Sequence, residues 1–275
     1  MKQNLIKAIG SILNFMSLIS PKLAAKIAIY LFSTPQKGKL KDLDSKFLKS
    51  AKKQTLNYEN IAIMTYHWEG KKDTLLLAHG WESNSNRWKE FIKILTRLDY
   101  KVIALDAPAH GRTSGKIFNA LLFSECIHVV AKAFNVNAVI GHSVGGMASV
   151  FFQHKYQLPS VKKLVLLGAP SNFEGVFDRY SKMMKYNKKV VEAMNQYVLK
   201  KFDHLPEYFS AAKFSGEITS KGLIIHDKKD SIIPYNDALD YEKHYSNAEL
   251  ITTEGFGHGL KSDEIYNHMI EFLNT

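Results

Sequence analysis

The stretch VIGHSVGG, residues 139–146, decides how this chain is read. It places Ser143 between Gly141 and Gly145, after an apolar run and ahead of a segment with helical spacing. Two glycines at that spacing remove side chains where backbone would otherwise clash. A sharp strand-to-helix turn of this kind lifts a serine hydroxyl out over a sheet. Such a serine reacts only where the chain also supplies a base and donors for the charge that develops.

On both sides of this turn the pattern alternates. From Ile61 onward, IAIMTYHW has period two and reads as a strand, and TLLLAHG is a continuous apolar run typical of a strand buried on both faces. NRWKEFIKILTRL has helical spacing, KVIALD is the next strand, and FNALLFSECIHVVAKAF the next helix. After the serine turn come the strands KKLVLLGAP, GLIIHDKKD and AELITTEG, the last two separated by the helix YNDALDYEKHY, and SDEIYNHMIEFL closes the chain as a helix. Such alternation predicts an α/β fold, a mostly parallel sheet with helices on both faces, whose ligands gather at the carboxyl ends of the strands. Residues 171–215 interrupt it with a helical stretch rich in Lys, Met, Tyr and Phe, as an inserted cap would.

The chain has 275 residues and a formal net charge of +11. Residues 1–60 hold eleven lysines against Asp42, Asp44 and Glu59, a net +8, so this segment is read as a basic, helical N-terminal extension. LIKAIGSILNFMSLIS carries Leu5, Ile9, Ile12, Met16 and Ile19 on one helical stripe and is too short and interrupted to span a bilayer. It is expected to pack on the domain, with a peripheral membrane contact through residues 1–35 as the alternative. No nucleic-acid partner is expected, because aromatic-interleaved basic motifs, zinc spacing and helix-turn-helix patterns are missing. The single cysteine, Cys126, rules out an intramolecular disulfide, reads as a buried structural thiol and fits a reducing, cytoplasmic location.

Several strands end in residues that chemistry needs. Ser143 follows one, His79 and Gly80 end another, Asp106 ends a third, Asp230 lies just past a fourth, and His258 follows the last. A serine hydroxyl needs a base, histidine has a pKa near working pH, and the imidazole needs a carboxylate to fix its tautomer. Ser143, Asp230 and His258 supply these in the chain order Ser…Asp…His, with Asp227 as the rival acid. The backbone N–H groups of Val144 and Trp81 are the expected oxyanion donors.

The motifs HGW, DAPAHGRTSG, GHSVGG, IHDKKDSIIP and GHG, in this order and each at a strand end, resemble those of the α/β-hydrolase superfamily from about Ile61 to the C-terminus. The resemblance implies an eight-stranded sheet, residues 61–170 and 216–275 as the core, residues 171–215 as a helical cap, and hydrolysis through an acyl-enzyme. The family's acid precedes an apolar residue and proline, which Asp230-Ser-Ile-Ile-Pro234 matches and Asp227 does not. It also implies that His79 and His142 orient or pack, that Asp106 and His110 shape a pocket loop, and that His226, His244 and His268 are structural. A serine nucleophile argues against haloalkane dehalogenase and epoxide hydrolase chemistry.

The reaction expected is cleavage of a carboxylic ester, with an acyl-chain or aryl group lodged near Phe177, Tyr180 and Met184; the competing reading makes these three the cap's own core. C–C bond hydrolysis, thioester hydrolysis and perhydrolysis with the same triad are alternatives, as is a non-catalytic ligand-binding protein on the same fold. No metal or organic cofactor is implied.

Overall fold

A computed structural model describes residues 2–40 and 46–275; Met1 and residues 41–45, Asp42 and Asp44 among them, lie outside the described residues. The helices in chain order are α1 (Lys2–Ile19), α2 (Pro21–Ser33), α3 (Lys46–Lys49), α4 (Lys89–Arg97), α5 (Ala120–Ala133) and α6 (Val144–Tyr156). They continue as α7 (Phe173–Met184), α8 (Lys188–Phe202), α9 (Ala211–Ser215), α10 (Asn236–His244) and α11 (Asp263–Leu273). The strands are β1 (Lys52–Tyr58), β2 (Ile61–Trp68), β3 (Lys72–Ala78), β4 (Tyr100–Leu105), β5 (Ala138–His142), β6 (Lys163–Leu167), β7 (Lys221–Asp227) and β8 (Ala248–Thr253). By their contacts these elements fall into two compact units.

The larger unit holds Pro35–Ser171 and Ala211–Thr275. Its strands form one sheet in the order β1-β2-β4-β3-β5-β6-β7-β8. β2 is antiparallel to both β1 and β4, and every other pairing is parallel. Leu75 and Leu77, Val102 and Ala104, Val165 and Leu167, and Leu223 and Ile225 pack with Phe91, Ile92 and Leu95 of α4 and Ile265 and Met269 of α11. Leu76, Ile103, Val139, Leu166 and Ile224 alternate with them and are equally buried, so they turn to the opposite face, where α6 meets β3, β5 and β6. Both faces being covered explains why these strands are continuous apolar runs.

The eighth strand, β1, falls where the sequence predicts part of a helical extension. Lys52–Tyr58 is polar and mostly exposed, because an edge strand has one neighbour and no buried face to impose an alternation. Its backbone pairs with β2 over its full length.

The smaller unit is helical and built from two distant segments, Met1–Thr34 and Asn172–Ser210. Its helices begin on short polar caps: Ser20 ahead of Pro21, Asn172 ahead of α7 and Asn187 ahead of α8 each accept a backbone N–H from the first turn. α2 lies along α8, and α1 touches α2, α7 and α8. A Cβ on Gly10 would collide with the Met184 carbonyl, so glycine sets how closely α1 approaches the end of α7. Beside it, Asn14 Nδ2 donates to the Lys185 carbonyl at 2.8 Å and Asn14 Oδ1 accepts the Asn187 N–H at 2.8 Å. The side of α1 that packs is thus Gly10, Leu13 and Ser17, whereas Leu5, Ile12 and Ile19 of the expected stripe are exposed and Ile9 and Met16 half-buried. α1 therefore has apolar residues on two sides, which a count of one periodic stripe does not separate. No described helix is long and apolar enough to cross a membrane.

Candidate active site

Ser143 follows β5 and precedes the first residue of α6, with φ 54° and ψ −128°. A side chain in this region is strained, and the strain is held by packing. Its N–H donates to Leu167 O at 2.8 Å, and its carbonyl accepts the Gly146 N–H at 2.9 Å. A Cβ on Gly145 would collide with the Ala78 carbonyl oxygen, so the helix can start against the end of β3 only with glycine there. The loop after β3 runs beside the nucleophile: a Cβ on Gly80 would stand 2.9 Å from the Ser143 Cβ.

The histidine and its acid come from the next two strands. Asp230 sits in the turn after β7 and His258 in the turn Gly257–Gly259 after β8. His258 Nδ1 lies 2.7 Å from Asp230 Oδ2. With that nitrogen donating to the carboxylate, Nε2 is left as the proton acceptor. Asp230 Oδ1 accepts the N–H groups of Ile232 and Ile233 at 2.8 and 2.9 Å, and His226 Nε2 lies 3.5 Å from Oδ2. Burial works to raise the Asp230 pKa, but the bonds from His226, His258, Ile233 and Ile232 outweigh it and hold the carboxyl far below its usual range. Asp227 is turned elsewhere: it accepts from the Thr253 hydroxyl and the N–H groups of Phe256 and Lys229.

His142, next to the nucleophile in sequence, ties the histidine turn to the serine elbow. Its Nε2 donates to the His258 carbonyl at 2.8 Å, and the two rings are 4.8 Å apart between centroids. Burial, reinforced by the charge of Arg87, keeps His142 neutral well below its usual pKa. The Ser143 hydroxyl itself is not hydrogen-bonded to any described residue, His258 included, and such bonds often tighten only with substrate bound.

Of the two expected oxyanion donors, Val144 N–H is the first of α6 and has no i−4 carbonyl within its helix. Trp81 follows Gly80, and its ring rests on His110 and Phe118. The loop carrying Trp81 is braced from below. His110 Nε2 accepts the Glu82 N–H at 3.0 Å, and His79 Nε2 accepts the Ala107 N–H at 2.9 Å. Burial pushes the pKa of both imidazoles down to about 4, so they brace as neutral acceptors. Asp106 is fully buried and accepts from Ser85 N–H, Ser85 Oγ, Tyr66 OH and Arg112 N–H.

Phe177, Tyr180 and Met184 lie on α7 in the helical unit. Phe177 and Met184 are buried, and the rings of Phe177 and Tyr180 meet Phe32 of α2 edge-on at 5.6 and 4.8 Å. Arg87 went unnoticed in the sequence. Its guanidinium donates to the Gly259 carbonyl at 3.0 Å and lies over the Trp88 ring, so it secures the residue after His258. Only its place in a helical pattern was visible locally. Among the described residues no group of three or more His, Cys, Asp or Glu side chains could hold a metal ion.

Residues 73–205 match the sequence model of the alpha/beta hydrolase fold. A non-heme chloroperoxidase of Burkholderia pyrrocinia is 27% identical over 258 residues, covering 74% of this chain and 91% of that one. A 2-hydroxy-6-oxononadienedioate/2-hydroxy-6-oxononatrienedioate hydrolase of Dechloromonas aromatica is 23% identical over 252 residues, covering 73% and 86%. The solved structure of a bromoperoxidase from Bacillus anthracis superposes with a TM-score of 0.63 at 17% identity, covering 82% of this chain and all of that one. With its sheet order, serine elbow and these likenesses, the chain has the α/β-hydrolase fold.

Proposed function

We propose that the protein is a serine hydrolase that cleaves carboxylic esters through an acyl-enzyme. The observation that carries this reading is the buried Asp230 bonded at 2.7 Å to His258 Nδ1, on a turn tied through His142 to the Ser143 elbow. In the reaction Ser143 Oγ attacks the acyl carbon and its proton passes to His258 Nε2. The oxyanion meets the N–H groups of Val144 and Trp81. Collapse breaks the bond to the alkoxy oxygen, which leaves as the alcohol with the proton from His258. Water, deprotonated by the same nitrogen, then attacks the ester on Ser143, and the acid and the free serine are released. Asp230 stays ionised throughout and stabilises the imidazolium, as its lowered pKa requires.

A fluorophosphonate probe should label Ser143, and Ser143→Ala should lose at least about 10⁴-fold in p-nitrophenyl ester turnover while keeping its melting temperature. A variant that turns over at the wild-type rate would overturn the mechanism. The likeness to a protein named a non-heme chloroperoxidase supports a second reading, perhydrolysis with the same residues. Peroxide in place of water, with an ester or acid as acyl donor, separates the two by the product formed.

A further inference from the structure

The side of α1 that faces away from its helical neighbours carries a run of apolar residues from Leu5 to Ile19. Leu5, Ala8, Ile12, Phe15 and Ile19 recur at helical spacing and are all exposed. The large ones are 63, 59, 67 and 79% exposed, in the order Leu5, Ile12, Phe15, Ile19, and Leu18 at 61% widens the stripe. These residues are not left over from packing: Gly10, Leu13, Asn14 and Ser17 already fasten the helix on its other side. A stripe of large apolar side chains is costly in water and marks a surface that something covers.

Charge decides what covers it. Residues 1–34 contain Lys2, Lys7, Lys22 and Lys26 and no Asp or Glu. Lys7, Lys22 and Lys26 are exposed beside the apolar residues, as is Leu23 at the start of α2. A second copy would bring four more lysines against these, whereas anionic lipid headgroups complement them. No described helix is long and apolar enough to cross a membrane, which leaves lying in the interface. We propose that the helical unit docks on an anionic bilayer surface, with the stripe Leu5–Ala8–Ile12–Phe15–Ile19 entering the acyl boundary and Lys7, Lys22 and Lys26 meeting the headgroups.

The test is flotation of the full chain with vesicles of phosphatidylcholine mixed with phosphatidylglycerol, against phosphatidylcholine alone. The wild type should float with the mixed vesicles and be released by raised salt. The triple variant Ile12→Gln, Phe15→Gln, Ile19→Gln should bind about tenfold or more weakly, with unchanged circular dichroism and unchanged turnover of a water-soluble ester. A second variant, Lys7→Gln, Lys22→Gln, Lys26→Gln, should lose the preference for phosphatidylglycerol, and it keeps the test decisive if the first fails to fold. Equal binding by wild type and both variants overturns the proposal. So does a wild type that floats with neither vesicle, or a vesicle-free dimer that the apolar variant dissolves. None of these readouts depends on the triad, so docking and catalysis can fail separately.

Discussion

Asp106 and Asp230 stand at the same edge of the sheet, after β4 and after β7, and both are buried, yet their surroundings differ in kind. Around Asp106 the donors are backbone N–H groups and hydroxyls, from Tyr66, Ser85 and Arg112, and they gather three parts of the chain onto one carboxyl group. Around Asp230 the donors are the His258 imidazole and the N–H groups of Ile232 and Ile233, and the His226 ring, whose Nε2 donates to the Ile233 carbonyl at 3.0 Å, stands 3.5 Å off. Donors that keep their protons make a joint; donors that can exchange protons make a site. Burial of an aspartate at a strand end therefore says little about catalysis until its partners are named.

The difference can be broken by substitution. The largest effect expected is Asp230→Asn, which keeps the shape but favours the wrong tautomer of His258: ester turnover should fall about 10⁴-fold with little change in melting temperature, read by steady-state kinetics beside thermal unfolding. Asp106→Ala should invert that balance. It leaves the donors of Ser85 and Arg112 and the Tyr66 hydroxyl unpaired, and urea unfolding should show a loss of about 3 kcal/mol or more.

The next test uses pH. His79 and His110 sit at about 4 in the folded protein against about 6.5 unfolded, so the unfolded chain binds more protons between those values. The stability they contribute as neutral groups is complete above pH 6.5 and is lost as pH falls through that window, up to about 3 kcal/mol for each imidazole. Unfolding titrations at pH 7, 5.5 and 4.5 check the slope, which should flatten in His79→Gln. The smallest effect belongs to Asp227→Asn, whose bonds to Thr253, Phe256 and Lys229 only hold the turn: about 1 kcal/mol of stability and less than tenfold in turnover, measured in the same assays. If Asp227→Asn matched Asp230→Asn in turnover, the assignment of the acid would be wrong.

Much of the larger unit was legible in sequence because its signals are local. An apolar run of five to seven residues is a buried strand wherever it pairs, and a serine between two glycines bends the chain whatever lies around it. The rival aspartates could be ranked only through the family resemblance, whose acid precedes an apolar residue and proline as Asp230 does, and the structure places Asp230 beside His258. Arg87 was not legible, because its place in the site comes from a carbonyl 172 residues away, at Gly259. β1 was hidden for a related reason: Lys52–Tyr58 is a strand by virtue of the neighbour it pairs with, not of any pattern of its own.

The amino-acid sequence alone determined the alternation of strands and helices from β2 onward and put Ser143, Asp230 and His258 at strand ends, since periodicity and turn chemistry act over a few residues. Tertiary structure alone decided that α1 and α2 join the inserted helices in one unit, that the packed side of α1 is Gly10, Leu13 and Ser17, and that the stripe through Ile12 and Phe15 is left facing water. A helix with apolar residues on two sides does not specify which side it buries; the shape and hydrogen bonds of the partner surface at Met184, Lys185 and Asn187 make that choice.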